Sequence, residues 1–130
     1  MFPKRVRVLS IIVVCLLAAA CASTTLGKSI QAASIQKQLV QQATVQVIKM
    51  CNTAQLTPAN CAKVESDYLA WASGEQVLAD SLAEWAVVQS DPNESKLTAA
   101  LNAVKALASE YLSFIGQYVD LKAIAAKIGG

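Results

Sequence analysis

From Cys61 to Trp85 the chain places Cys61, Val64, Tyr68, Trp71, Leu78, Leu82 and Trp85 at spacings of three and four, with Glu75 the one charged member of the row. At 3.6 residues per turn these positions share one face of an α-helix, so the stripe can be buried only if that face packs against neighbours. Its unbroken rhythm is that of a seam between helices. The start is marked as well: Thr57 is a capping residue and Pro58 follows it at the first helical position, where a missing N–H costs nothing.

Two further segments carry the same pattern. Between Lys28 and Cys51, Ile35, Leu39, Ala43, Val47 and Met50 fall on one side of a helical wheel, while Gln31, Gln38, Gln41, Gln42, Gln46 and Lys49 fall on the other. After Asp91-Pro92-Asn93-Glu94, read as an N-cap with a capping box, a long stripe runs through Leu97, Ala100, Val104, Leu107, Tyr111, Phe114, Tyr118, Leu121, Ala125 and Ile128. Leu101, Ala108, Leu112, Ile115 and Val119 widen that face enough to touch two neighbours. The expected fold is therefore all-α: an elongated antiparallel three-helix bundle over residues 28–130, up, down and up. Helices of about 25 to 35 residues would make a rod roughly 35 to 50 Å long.

Charge supports pairing of the first two helices. The first carries Lys28, Lys37 and Lys49 with no acid, whereas the second carries Glu65, Asp67, Glu75, Asp80 and Glu84 against Lys63. Glu75 breaks the second seam, and folding about the turn near residue 54 sets it opposite Lys37. We expect a register-setting ion pair between Glu75 and Lys37, which would disfavour slipped alignments. A ligand-binding carboxylate is the rival reading. Gly74 and Gly116 lie inside the helical patterns and point to close helix approach.

The first 27 residues obey different rules. Lys4, Arg5 and Arg7 precede the apolar run Val8–Leu17, and Ala18, Ala19 and Ala20 lead to Cys21. That order of basic, apolar and small residues is the grammar of a secretory signal. The apolar stretch is short of the ~20 residues a membrane-spanning helix needs. Leu17-Ala-Ala-Ala-Cys21 resembles the lipobox of bacterial lipoprotein precursors, with Leu17 one place earlier than in the commonest pattern. The resemblance covers about the first 22 residues. It implies cleavage before Cys21 and attachment of palmitate-like acyl chains there, and Ala22 in place of Asp implies sorting to the outer membrane. Ala18-x-Ala20 and Ala20-x-Ala22 also suit ordinary signal-peptidase cleavage. The expected organisation is a signal peptide over 1–20, a lipidated N-terminus and tether over 21–27, and the bundle thereafter.

Removing the signal also removes three of the eleven basic residues, leaving eight against nine acids and no arginine. A nucleic-acid partner needs clustered Lys and Arg and is disfavoured. Of the four cysteines, Cys15 leaves with the signal and Cys21 carries lipid, so Cys51 and Cys61 remain as a pair flanking a short turn. In an oxidising compartment that pair reads as a disulfide across the first interhelical turn. Two free thiols are the alternative; a zinc site lacks ligands, since the chain has no histidine.

The same absence removes imidazole as a base, and five glycines are too few for a phosphate-cradling loop. No cofactor and no enzymatic activity are expected. Trp71, Trp85, Tyr111 and Tyr118 offer a candidate aromatic binding face, although aromatics at seam spacing are more often core. Three functional classes follow. The leading expectation is a small envelope lipoprotein, anchored by its lipid and facing the periplasm, that docks another envelope protein without catalysis; exclusion or immunity lipoproteins of mobile elements are of this size. A binder of apolar ligands, or an inhibitor of an envelope enzyme, would use the aromatic region between the second and third helices, and an apolar cavity above about 300 Å³ in the structure would favour it. Self-assembly would need Leu101, Leu112, Ile115 and Val119 to stay uncovered.

Overall fold

The computed structural model describes residues 25–129, and these form four helices: α1 Thr25–Asn52, α2 Pro58–Val87, α3 Asp91–Ile115 and α4 Leu121–Gly129. The described residues contain no strand. The Cys51–Cys61 disulfide links the end of α1 to the start of α2, with Cα atoms 5.9 Å apart, within the usual range for such a bridge.

Local chemistry explains the boundaries. Thr57 caps α2 by accepting from the backbone N–H of Asn60 at 3.2 Å, with Pro58 in the first turn. Before it, α1 is closed by a left-handed residue, Ala54 at φ 57°. The N–H of Gln55 reaches Met50 O at 2.8 Å and that of Ala54 reaches Cys51 O at 3.2 Å, which is the Schellman arrangement with alanine in the place glycine usually takes. At α3 the cap lies one residue earlier than expected: Ser90 accepts from Asn93 N at 3.3 Å, placing Asp91 and Pro92 in the first turn. Asn93 fixes the turn by donating through Nδ2 to Val88 O at 2.8 Å. The acids Asp91 and Glu94 then complement the positive end of the helix dipole.

α3 packs on both α1 and α2, which approach each other less closely than either approaches α3. Residues late in α2 meet residues early in α3 and the reverse: Glu84 pairs with Lys96 at 3.6 Å, Tyr68 stacks near Tyr111, and Asn60 donates to Tyr118 at 3.1 Å. Gly74 sits where a Cβ would lie 3.0 Å from Leu107 Cδ1 and 3.4 Å from Val104, so the close approach read from that glycine is present. The α2 stripe is largely buried as expected, with Val64, Trp71, Leu78, Leu82 and Trp85 in the core.

Two expectations are corrected. The third stripe is not one helix. α3 ends at Ile115, and Gly116 to Asp120 form a turn before α4, which packs on α1. A Cβ at Gly116 would lie 2.8 Å from Leu112 O and 2.9 Å from Leu121 Cδ1, so the chain turns where only glycine lets it close. Asp120 restarts the helix by accepting from Ala123 N at 3.1 Å. The restart shifts the phase, burying Ile124 and exposing Ala125, the reverse of the expected order.

The second correction concerns α1. Ile35, expected in the core, is 58% exposed, and the buried stripe is Ile30, Val40, Ala43, Thr44 and Val47. Thr44 belongs inside because its hydroxyl donates to Val40 O and shares a 2.7 Å hydrogen bond with Tyr111 Oη, leaving neither hydroxyl stranded. α1 also begins at Thr25, with Leu26 against the core and Gly27 buried, so the segment read as tether through Gly27 is in part helix.

Candidate functional site

The lipidation residue Cys21 and the signal lie outside the described residues. What the structure places is the ground on which α1 begins, four residues after that cysteine. No described helix is long and apolar enough to cross a membrane.

The α1–α2 seam holds the expected charged pair without closing it. The disulfide joins Cys51 to Cys61, and Lys37 along α1 and Glu75 along α2 lie the same number of residues from that bridge. The two side chains do not form a direct salt bridge. Burial pushes the Glu75 carboxyl above its ordinary range, and the field of the Lys37 ammonium opposes this without cancelling it. Oε1 of Glu75 is buried with no hydrogen-bond partner, as is Nε1 of Trp71 one turn before it. The carboxyl is thus held in the apolar seam, biased by lysine but not clamped by it.

The four candidate aromatic residues are not gathered on one exposed face. Trp71, Trp85 and Tyr111 are 3%, 6% and 0% exposed, so their area is spent on the core. They are also strung along the α2–α3 seam. Tyr118 lies beside Asn60 at one end, and Trp85 lies some 25 residues of helix away, roughly 37 Å at 1.5 Å per residue. Only Trp71 and Tyr111 come near each other, through Tyr68, whose ring is 5.6 Å from the first and 6.3 Å from the second. Burial raises the Tyr111 phenol above its usual range, and the hydrogen bond it shares with Thr44 works against that shift. At the turn end, the Lys63 ammonium sits 4.9 Å from the centre of the Phe114 ring and pairs with Asp67 at 3.0 Å.

A groove of ≈ 360 Å³ lies instead between the first half of α1 and α3. Leu26, Ala33 and Leu101 contribute apolar surface, and Gln36, Asn102 and Lys105 are among its polar lining residues. Its volume passes the size expected of an apolar-ligand site, but it lies between α1 and α3, polar and apolar residues share its lining, and no aromatic residue lines it.

Leu101, Leu112, Ile115 and Val119, the surface required for self-assembly through the third helix, are all buried. The uncovered apolar side chains are elsewhere: Ile35, Val45 and Ile48 on α1, and Leu69, Val77, Val87 and Val88 on α2 and its end; sequence reasoning put Ile35 in the core and assigned the others no place. Their signal was legible as large aliphatics lying off the main stripe. Comparison with family models, with curated proteins and with solved structures finds no match to this chain.

Proposed function

We propose that the chain is the precursor of a small bacterial envelope lipoprotein, acylated at Cys21, whose helical domain serves as a non-enzymatic docking module at a membrane surface facing the periplasm. The observation that carries the reading is the segment Lys4 to Cys21, where a basic cluster, a short apolar run and small residues precede a cysteine. Acyl chains contribute about 0.8 kcal/mol per buried methylene, so the tether supplies membrane affinity and the helices supply recognition. The disulfide fits the same compartment. We read the domain as an elongated antiparallel bundle of three long helices, with α4 folded against α1; the Glu84–Lys96, Tyr68–Tyr111 and Asn60–Tyr118 pairs support the opposed run of α2 and α3.

Docking is favoured over ligand binding because the aromatic side chains are committed to packing, while aliphatic side chains remain outside on two helices. Mass spectrometry of the mature protein tests the tether. The expected species begins at Cys21 and carries diacylglycerol and acyl mass. An unmodified species beginning at Ser23 would overturn the reading.

A further inference from the structure

We propose that the partner of this docking module is a second copy of the same chain, with the outer face of α1 in one copy packed on the outer face of α2 in the next, all copies standing at the same height. The common height rests on the membrane-tether reading; the match between the faces does not.

The faces are complementary in charge. α1 carries lysines and no acid, and its outer side exposes Lys28, Ile35 and Val45. α2 presents Glu84, Val77 and Leu69 on its outer side, all exposed. Because α3 packs against both helices, these two faces point away from the core on different sides of the molecule. A contact between two different faces is heterologous, so it repeats from copy to copy into a row or a closed ring.

The levels match too. The disulfide fixes the heights of α1 and α2, since Cys51 stands level with Cys61. Counting away from that bridge, Ile35 stands level with Val77 and Lys28 with Glu84. Val45 and Leu69 miss each other by about two residues, or about 3 Å of helix rise. Lys49 and Glu65 miss by the same amount. When copies are placed side by side at one height, aliphatic side chains therefore meet aliphatic ones and lysines meet carboxylates, in the same antiparallel sense that α1 and α2 have within one chain. Glu84 already touches Lys96 of its own chain at 3.6 Å, and that exposed pair leaves the carboxylate open to a second cation. Lys63, which would repel an incoming Lys49, is occupied by Asp67 and the Phe114 ring.

Such a contact is narrow, so it depends on effective concentration. A tether confining every copy to one surface in one orientation supplies it. Docking and anchoring are then parts of one device.

The test uses full-length chains in intact cells. One copy carries Ile35→Cys, another carries Val77→Cys with a tag of different mass, and a short bismaleimide is added. The mixed pair should crosslink several-fold more than either variant alone, and a chain bearing both substitutions should give a ladder. Ile35→Cys with Val87→Cys, displaced by about 15 Å along α2, should give none. Lys28→Glu should weaken the ladder several-fold, and adding Glu84→Lys to the same chain should restore it. Equal crosslinking by Ile35→Cys alone, or by the displaced pair, would overturn the row. Fractionating the same cells separates the two proposals. A membrane-bound chain without a ladder sinks the row and leaves the tether. A chain in the soluble fraction sinks the tether, and the ladder is then read on that protein after concentration, where its absence sinks the row as well.

Discussion

The α2–α3 seam and the packing of α1 solve the same problem with different materials. Between α2 and α3, large side chains do the work: Trp71, Leu78, Trp85, Leu97, Val104 and Tyr111 are nearly or wholly buried, and Gly74 lets the backbones close over them. α1 offers smaller groups. Beside Ile30, Val40 and Val47 its buried stripe includes Ala43, Thr44 and Gly27, three of its large aliphatics face outward, and one disulfide and one hydroxyl pair add to its alignment. Where apolar area is large, it fixes position by itself. Where it is small, directional or covalent links take over, and the helix is left with an outer face free for another purpose.

Removing a side chain from the first region should have the largest effect. Trp71→Ala deletes a ring that is 97% buried and leaves a void between α2 and α3, for a loss of about 3 to 5 kcal/mol. Urea unfolding followed by circular dichroism would show it as a lowered midpoint at similar slope. A loss below about 1 kcal/mol would mean that the α2–α3 seam is not the dominant one.

Reducing the disulfide, or replacing Cys51 and Cys61 together by Ala, acts on the second region. The expected cost is about 2 to 3 kcal/mol for a short closed loop. Its location matters more than its size. Hydrogen exchange should accelerate in α1 and α4 first, with α2 and α3 keeping their protection. Uniform acceleration through all four helices would erase the distinction.

The contrast also explains what could be read from the sequence. The α2 stripe was legible because its buried members are the residues that any hydropathy pattern marks, and Thr57-Pro58 announces its start. The disulfide was legible because only two cysteines remain outside the first 21 residues. The phase of α1 was not, because its stripe hides a threonine whose hydroxyl finds Tyr111, a partner 67 residues away, while Ile35 lies outside. The break after Ile115 was masked by an apolar rhythm that continues through Val119, although Gly116 and Asp120 carried the local signal of a stop and a restart. Of the candidate site, the spacing pointed to Glu75 and Lys37, and the field of the lysine does reach the carboxyl; its desolvation and the missing direct contact depend on side-chain geometry that spacing does not encode.

Glu75 gives an intermediate effect that probes the seam joining the two regions. Its folded-state carboxyl is raised above its ordinary value, so the folded chain holds the proton more tightly than the unfolded one. That contribution is fully present below the ordinary carboxyl range and is lost as pH rises through the raised value. Glu75→Gln should therefore melt at higher temperature than the wild type at neutral pH, by a few degrees at most. The gap should narrow as pH falls into the ordinary carboxyl range, where both chains carry a neutral group at this position. Thermal melts at both pH values check this, and a variant less stable at neutral pH would show that Lys37 stabilises the carboxylate more than burial penalises it.

The smallest effect is expected at Ile35, and it is the sharpest check on the corrected phase of α1. An isoleucine in the buried stripe would cost about 2 to 5 kcal/mol on truncation, whereas one that is 58% exposed falls among surface substitutions, usually within about 0.5 kcal/mol. Ile35→Asn should leave the urea midpoint of the dispersed chain nearly unchanged, while Val40→Ala, at 0% exposure on the opposite side of the same helix, should lower it clearly. If the two substitutions cost the same, the hydroxyl bond of Thr44 does not set the rotation of α1. The outward row of aliphatics would then belong to the core, and no face would be left for a neighbour.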